Sequence, residues 1–246
     1  MSGTFALETP DARAAVLVLA ANLLASMAGA WFGVNALYLY RHHSSEFENS
    51  IWQHFVVSSV ALVVHGVLRV WALLVPRYST AGDALADLVF VVFLFFLAFG
   101  IRRLFHETSL PVPYVEFVSR ATLGRIERGL LVVIVAGGVA VLLLGSTVVV
   151  QVLFGVSGTL VALYGTVIGV NERSMVAMRG TAISSLLGYL VPAIGCAGLV
   201  PVLALTQFGS GHPFVHADLQ RLVLVVVAAF LLMATVQLHD LVESLG

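Results

Sequence analysis

The octapeptide GHPFVHAD, residues 211–218, places two histidines four residues apart just before the last apolar stretch of a 246-residue chain. His212 and His216 share one face of a helix if that helix starts near Pro213, because proline is favoured in a first helical turn. Two imidazoles on one face are typical of a metal site, and a single imidazole is the usual base of a catalytic dyad. Asp218, however, is also a routine polar residue at a helix start. The residues that surround this stretch in the fold decide among the three roles.

The composition assigns the chain to the integral membrane proteins. It is 60% hydrophobic and only 10% charged, with a mean hydropathy of +1.03, whereas a soluble domain carries about 25% charged residues. Apolar runs long enough to cross a bilayer follow one another along the chain. The formal net charge of −1 does not indicate a nucleic-acid partner. Membrane lipids are the expected partners, because the chain is expected to lie in the bilayer. The single cysteine, Cys196, excludes an intrachain disulfide.

Seven transmembrane helices are predicted, in one all-α domain that covers residues 1–246. Backbone groups in lipid must bond internally, and the period-2 pattern typical of a barrel does not occur, so the spans are expected to be helical. The fourth and fifth spans are separated only by Gly145, Ser146, Thr147 and Gln151. The predicted spans cover approximately residues 14–40, 51–75, 83–104, 129–149, 152–170, 180–206 and 217–241.

The arginine distribution predicts an N-terminus outside and a C-terminus inside. Alternate connections between spans collect eight arginines on one side and three on the other, and the arginine-rich side is normally cytoplasmic. The longest predicted loop, residues 105–128, is then cytoplasmic and carries a short surface helix. The protein is expected to be a multi-pass protein of the cell membrane.

Ionisable residues inside a membrane are costly, and they are therefore candidates for function. The predicted topology brings five of them to one depth near the outer surface. Three histidines with one or two carboxylates at one depth form a ligand set for zinc, with an open position for water. The five residues are His65, Asp83, Asp87, His212 and His216.

A purely structural interpretation of the same polar residues stays open. Asp83 and Asp218 stand where a helix-capping aspartate is routine. Arg69, one turn beyond His65, has a side chain long enough to reach the outer headgroups. His54 lies eleven residues before His65, about 16 Å lower on the helix, and cannot join the same metal site.

Three segments resemble the superfamily of alkaline ceramidases and adiponectin-receptor-like proteins, which are seven-helix membrane hydrolases. They are SSVALVVHGVLRVW (58–71), ALADLVFVVFLFFLAFGIRRLF (84–105) and GHPFVH (211–216). In that superfamily the zinc ligands are a histidine late in helix two and an H-x-x-x-H at helix seven, and an aspartate at the start of helix three completes the motif.

The resemblance implies a zinc ion held by His65, His212 and His216, and a water-orienting carboxylate at Asp87, or at Asp83 as second choice. Zinc lowers the pKa of its bound water to about 7 and polarises a carbonyl group. Asp87 would then take the proton of that water. The leading hypothesis is therefore a zinc-dependent hydrolase that acts on a lipid amide or ester near the outer leaflet.

A second resemblance lies on the fifth span. The segment FGVSGTLVALYGTVIGVNER (154–173) is similar to the G-x-S-G helix of rhomboid intramembrane serine proteases, and TLGRIERGLLVVIVAGG (122–138) is similar to the stretch before it. This resemblance implies Ser157 as the nucleophile and His216, or His212 as second choice, as its general base. Either an active protease or an inactive relative follows from it.

Two other classes remain among the alternatives. A histidine pair across the helices is able to ligate haem b, with His65 and His216 or with His54 and His239 as the pairs. A non-enzymatic sensor or structural membrane protein needs the polar residues only as helix caps. A retinal-binding opsin is excluded because the chain has no lysine for a Schiff base.

Overall fold

The chain is helical almost throughout the residues that the structure, a computed structural model, describes: 10–42, 46–75, 79–108, 120–144, 147–176, 182–206 and 213–243. These ranges contain no strand, which confirms the all-α prediction. The helices are α1 (Pro10–His42), α2 (Glu46–Leu74), α3 (Ser79–Thr108), α4 (Arg120–Leu144), α5 (Val148–Val176), α6 (Ala182–Ala197), α7 (Leu199–Thr206) and α8 (Pro213–Glu243).

The outer surface of the helix bundle is apolar. Met27, Val132 and Leu163 are among many large hydrophobic side chains that are more than half exposed, which a soluble monomer rarely tolerates over contiguous surface. The protein is therefore an integral, multi-pass membrane protein. The count of seven spans and the orientation remain predictions. Six stretches within the described ranges are long and apolar enough to cross a membrane: Ala15–His42, Ile51–Leu74, Thr80–Leu104, Val148–Asn171, Ser184–Thr206 and Asp218–Glu243.

Helix α3 is the central helix, because 61% of its span is buried, the largest share among the six. Phe93 and Leu94 are among its fully buried side chains. The short connection between α2 and α3 makes them antiparallel neighbours. Their contact is close at Gly100, where a Cβ atom would lie 2.7 Å from Cε1 of Phe55, so a larger residue would displace that ring.

Glycines on α5 allow it to approach both α3 and the sixth span closely. A Cβ atom on Gly165 would lie 2.8 Å from the Cβ of Ala98 on α3, and one on Gly158 would lie 3.0 Å from the Cβ of Pro201 on α7. Small residues at such crossings let membrane helices pack backbone to backbone. The packing of α5 therefore fixes the position of α7, which forms one wall of the site described below.

The sequence predicted one continuous helix for the sixth span. The structure instead has two helices, α6 and α7, with a turn at Gly198 between them. Pro201 has no N–H group, so it cannot donate to the carbonyl of Ala197 four residues earlier, and its ring crowds that carbonyl. Proline is a usual cause of such a helix kink. The residues that follow the turn, on α7, pack against α5 and α8.

Several helix boundaries differ from the predicted ones. Helix α3 continues to Thr108 and α4 starts at Arg120, so much of the predicted loop 105–128 is helical. Residues 109–119, and the short surface helix predicted there, lie outside the described residues. Helix α5 starts at Val148, so Gln151 lies inside a helix and not between two. Apolar runs underestimate helix length because long charged side chains at helix ends reach the interface while their backbone stays helical.

Candidate functional site

Three charged side chains meet where α2 ends and α3 begins. Arg69 on α2 donates from Nη1 to Oδ1 of Asp83 at 2.6 Å and from Nη2 to Oδ1 of Asp87. The two aspartates are one helical turn apart, so they lie on the same face of α3. The antiparallel α2–α3 pair brings Arg69 opposite that face. The arginine is thus bound within the protein by both carboxylates.

These three side chains border a cavity of about 220 Å³ among α2, α3, α5, α7 and α8. Two amide side chains, Gln151 of α5 and Gln220 of α8, add further polar groups, and the remaining walls are apolar. Gln220 donates from Nε2 to the backbone carbonyl of Val200 at 3.4 Å, so it joins α8 to α7. The apolar lining consists of Val91, Phe154, Gly155, Val200, Pro201 and Ala204.

The ion cluster is open to this cavity. The side chains of Arg69, Asp83 and Asp87 keep 26%, 46% and 34% of their surface exposed, so none is sealed by packing. Arg69 carries one positive charge and the aspartates carry two negative charges when both are ionised. The cluster therefore has one carboxylate more than the guanidinium can neutralise.

His65 lies one turn before Arg69 but is not among the residues that line the cavity. It is buried, its Nδ1 lies 2.9 Å from the backbone carbonyl of Ala86, and its ring packs on Phe90 at 4.9 Å between centroids. Since a carbonyl only accepts hydrogen bonds, Nδ1 carries the proton and Nε2 carries the lone pair. That Nε2 has no hydrogen-bond partner among the described residues.

The other two predicted zinc ligands are not described at the level of their side chains. His212 lies outside the described residues, and His216 stands in the first turn of α8 with no description of its ring. Helix α8 starts at Pro213, four residues before the approximate start of the predicted seventh span at 217. Within the described part of the chain no group of three or more His, Cys, Asp and Glu residues is placed to hold a metal ion. The zinc site therefore stays a prediction.

Ser157, the nucleophile that the rhomboid resemblance implies, is buried in α5. Its hydroxyl donates to the carbonyl of Phe154 at 3.2 Å, within its own helix. Phe154 and Gly155 line the cavity, whereas Ser157 does not. Because the ring of His216 is not described, the dyad remains a prediction as well.

A second polar cluster joins α3, α4 and α5 near the far end of α3. Glu127 is 7% exposed and accepts, at the same carboxylate oxygen, hydrogen bonds from Nη1 of Arg102 and from the hydroxyl of Tyr164, the latter at 2.6 Å. Sequence reasoning missed this cluster because it placed Glu127 in a loop. The available signal was the absence of proline between Glu127 and the apolar run that starts at Leu130, which permits a helix that begins earlier.

The remaining histidines do not form a described pair. His54 stacks on Phe99 with 5.0 Å between ring centroids. His239 is exposed and lies 3.3 Å from Glu243 in the last turns of α8. Neither contact tests the haem interpretation.

Comparison with protein-family models, with curated proteins and with solved structures finds no match to this chain.

Proposed function

We propose that the protein binds a compact polar solute in the cavity among α2, α3, α5, α7 and α8, as a membrane receptor or carrier does. The observation that supports this proposal is the ion cluster of Arg69, Asp83 and Asp87 beside a cavity of about 220 Å³. Charged residues inside a membrane protein typically pair with one another and border solute pathways. A cavity below the range of about 300 to 1,000 Å³ for drug-sized ligands suits a solute of a few non-hydrogen atoms.

The second polar cluster provides the contrast that favours binding over a structural role. Arg102 and Glu127 keep only 16% and 8% of their side-chain surface exposed, and neither lines the cavity. A charge pair that only joins helices is expected to be packed in this way. The aspartates of the Arg69 cluster are several times more exposed than Glu127, so their carboxylates have room to contact a solute.

Filling the cavity tests the proposal. Ala204 lines the cavity, so Ala204→Phe places a ring inside it and is expected to abolish solute binding. The measurement is the thermal stability of the protein in lipid nanodiscs with compact ammonium compounds, carboxylates or polyols. Each solute is added at about 10 mM, which is about a thousandfold above a Kd of about 10 μM. At least one class is expected to raise Tm of the wild type by several degrees and leave Ala204→Phe unchanged.

The matched control is Ala229→Phe, the same substitution at an exposed position of α8. It is expected to keep the response of the wild type, because Ala229 is not part of the cavity lining. A panel in which no solute stabilises the wild type more than Ala204→Phe contradicts the proposed function.

A zinc-dependent lipid hydrolase is the second candidate, favoured by the ring of His65. Its Nδ1–H is held by the carbonyl of Ala86 and its Nε2 lone pair has no partner among the described residues. Metal-binding histidines characteristically donate one ring N–H to a carbonyl and ligate through the other nitrogen. His65 therefore fits as one zinc ligand. His212 and His216 would supply the others, and the metal would activate water for attack on the lipid carbonyl.

Metal analysis separates this candidate from the first. Purified wild type is expected to hold about one zinc ion per chain, and His65→Ala is expected to lose it, because a site with two remaining histidines binds zinc far more weakly. The control is His42→Ala, since His42 also contacts a carbonyl through Nδ1, at 2.9 Å, but is exposed. Zinc-free wild-type protein, or an equal zinc content in wild type and His65→Ala, would contradict the zinc-dependent hydrolase.

A further inference from the structure

We propose that the solute carries a single positive charge on an ammonium group, and that it enters the cavity in exchange for a proton held by the pair Asp83 and Asp87. This inference rests on the proposed solute-binding function and deepens it. It follows from the charge count of the cavity, from the hydrogen-bonding groups left for a ligand, and from the size of the space.

The charges of the described residues that line the cavity sum to one negative charge when both aspartates are ionised. Arg69 on α2 and the two aspartates on α3 are the charged residues of the lining, while α5 and α8 contribute the neutral Gln151 and Gln220 and α7 contributes apolar residues. His65 on α2 faces the carbonyl of Ala86 and is not part of the lining.

Two described charged residues of α8, Arg221 and Asp218, pair with each other. Arg221 donates to Asp218 at 2.6 Å, one turn apart on the exposed side of α8. Asp218 and Arg221 therefore do not balance the surplus carboxylate of the cavity.

A surplus charge inside the membrane does not stay uncompensated, because a group there is neutralised or paired at lower cost than it is left bare. A proton on one of the two aspartates neutralises the surplus in the empty cavity. A cationic solute neutralises it equally well. Since both compensate the same charge, they compete: the ammonium ion enters, and the proton leaves the carboxyl oxygen for water.

The acceptor groups suit an ammonium ion. Arg69 uses Oδ1 of both Asp83 and Asp87, so the guanidinium leaves Oδ2 of each carboxylate unused. Gln220 donates through Nε2 to the Val200 carbonyl, which leaves its Oε1 to accept. An ammonium group presents only donors, as these acceptors require. A bare alkali ion would leave most of the cavity of about 220 Å³ unfilled.

The test uses methylammonium as the probe, with acetate, glycerol and sodium as comparison solutes, on full-length protein in nanodiscs. Methylammonium is expected to raise Tm, and the other three are expected to leave it unchanged. Its apparent Kd, measured by titration calorimetry, should fall about tenfold for each unit by which pH rises while one proton is released per ligand bound. Calorimetry in buffers of different ionisation enthalpy counts that proton directly.

Asp87→Asn removes the surplus charge, so methylammonium binding should weaken at least tenfold and lose its dependence on pH. Asp83→Asn should do the same, which provides a second variant if the first does not fold. The control Asp218→Asn, at an exposed carboxylate outside the cavity, should bind as the wild type does.

The possible outcomes separate the two proposals. Binding of acetate but not methylammonium, a response to sodium equal to that to methylammonium, or an affinity that does not change with pH would overturn the present inference and leave the proposed solute-binding function standing. Failure of every solute, in the wild type as in Ala204→Phe, would overturn both.

Discussion

Arg69→Met is expected to lower the free energy of unfolding by about 2 kcal/mol, between the values typical of exposed and of buried charge pairs, because the cluster is partly exposed. Arg69 is the group that holds Asp83 and Asp87 one turn apart on the same face of α3. Without it, the described residues of the cavity lining hold no positive charge to compensate the acidic pair Asp83 and Asp87. Methionine keeps most of the length of the arginine chain, so the loss measures charge more than packing.

The measurement is reversible unfolding of the purified protein in mixed micelles. Arg69→Met/Asp87→Asn is expected to recover more than half of the lost stability, because it leaves a single carboxylate that a proton neutralises. Arg221→Met is the matched control: its partner Asp218 is 66% exposed, and surface pairs contribute about 0 to 1 kcal/mol. If Arg69→Met loses no more stability than Arg221→Met, the charges of the Arg69 cluster do not stabilise the fold.

Glu127→Ala is expected to lower the free energy of unfolding by about 4 kcal/mol, because it leaves the poorly exposed guanidinium of Arg102 without its carboxylate. The substitution also removes the acceptor of the Tyr164 hydroxyl. Glu127 joins the start of α4 to α3 and α5, so the loss should be greatest at that end of α4. Hydrogen exchange is expected to rise there first.

Two comparison variants separate the parts of this effect. Tyr164→Phe removes one hydrogen bond to a charged acceptor and should cost about 1.5 to 3 kcal/mol. Glu243→Ala removes an exposed carboxylate that contacts His239 and should change stability by less than about 1 kcal/mol. If Glu127→Ala and Glu243→Ala destabilise the protein equally, the cluster of Arg102, Glu127 and Tyr164 does not anchor α4.

The sequence alone predicts a helical membrane protein, and it predicts that α2 and α3, which carry the ion cluster, are antiparallel neighbours. Long apolar runs dictate helices in lipid, and the short connection after Leu74 makes α2 and α3 antiparallel. The spacing of Asp83 and Asp87 places them on one face, at the depth of Arg69. It did not show that Arg69 would bind both, because an arginine near a helix end reaches the headgroups or a carboxylate equally well.

The rest of the cavity depends on packing that no local pattern encodes. Gln151 looked like an interruption between two spans, yet it lies within α5 and lines the cavity. Gln220 had no feature that set it apart from other polar residues at a helix start. Their convergence results from the close approach of α5 to α7 at Gly158 and Pro201, which is a property of the assembled bundle. Glu127 was assigned to a loop because charges flank it in sequence, whereas its partners come from α3 and α5.

The central claim is a cavity at Ala204 that admits compact cations, and thiol modification at that position tests it most directly. The variant carries Ala204→Cys with the native cysteine removed by Cys196→Ala. Its rates of reaction with cationic 2-aminoethyl and anionic 2-sulfonatoethyl methanethiosulfonate are each divided by the rate for a small thiol in solution. Ala229→Cys, on the exposed apolar side of α8, is the control and should react with neither.

The cationic reagent is expected to modify residue 204 at least tenfold faster than the anionic reagent after this correction, and Asp87→Asn is expected to remove the preference. Such a result would establish both access to the cavity and the sign of the charge that it favours. A cysteine at 204 that reacts with neither reagent, or that reacts faster with the anionic one, would contradict the account.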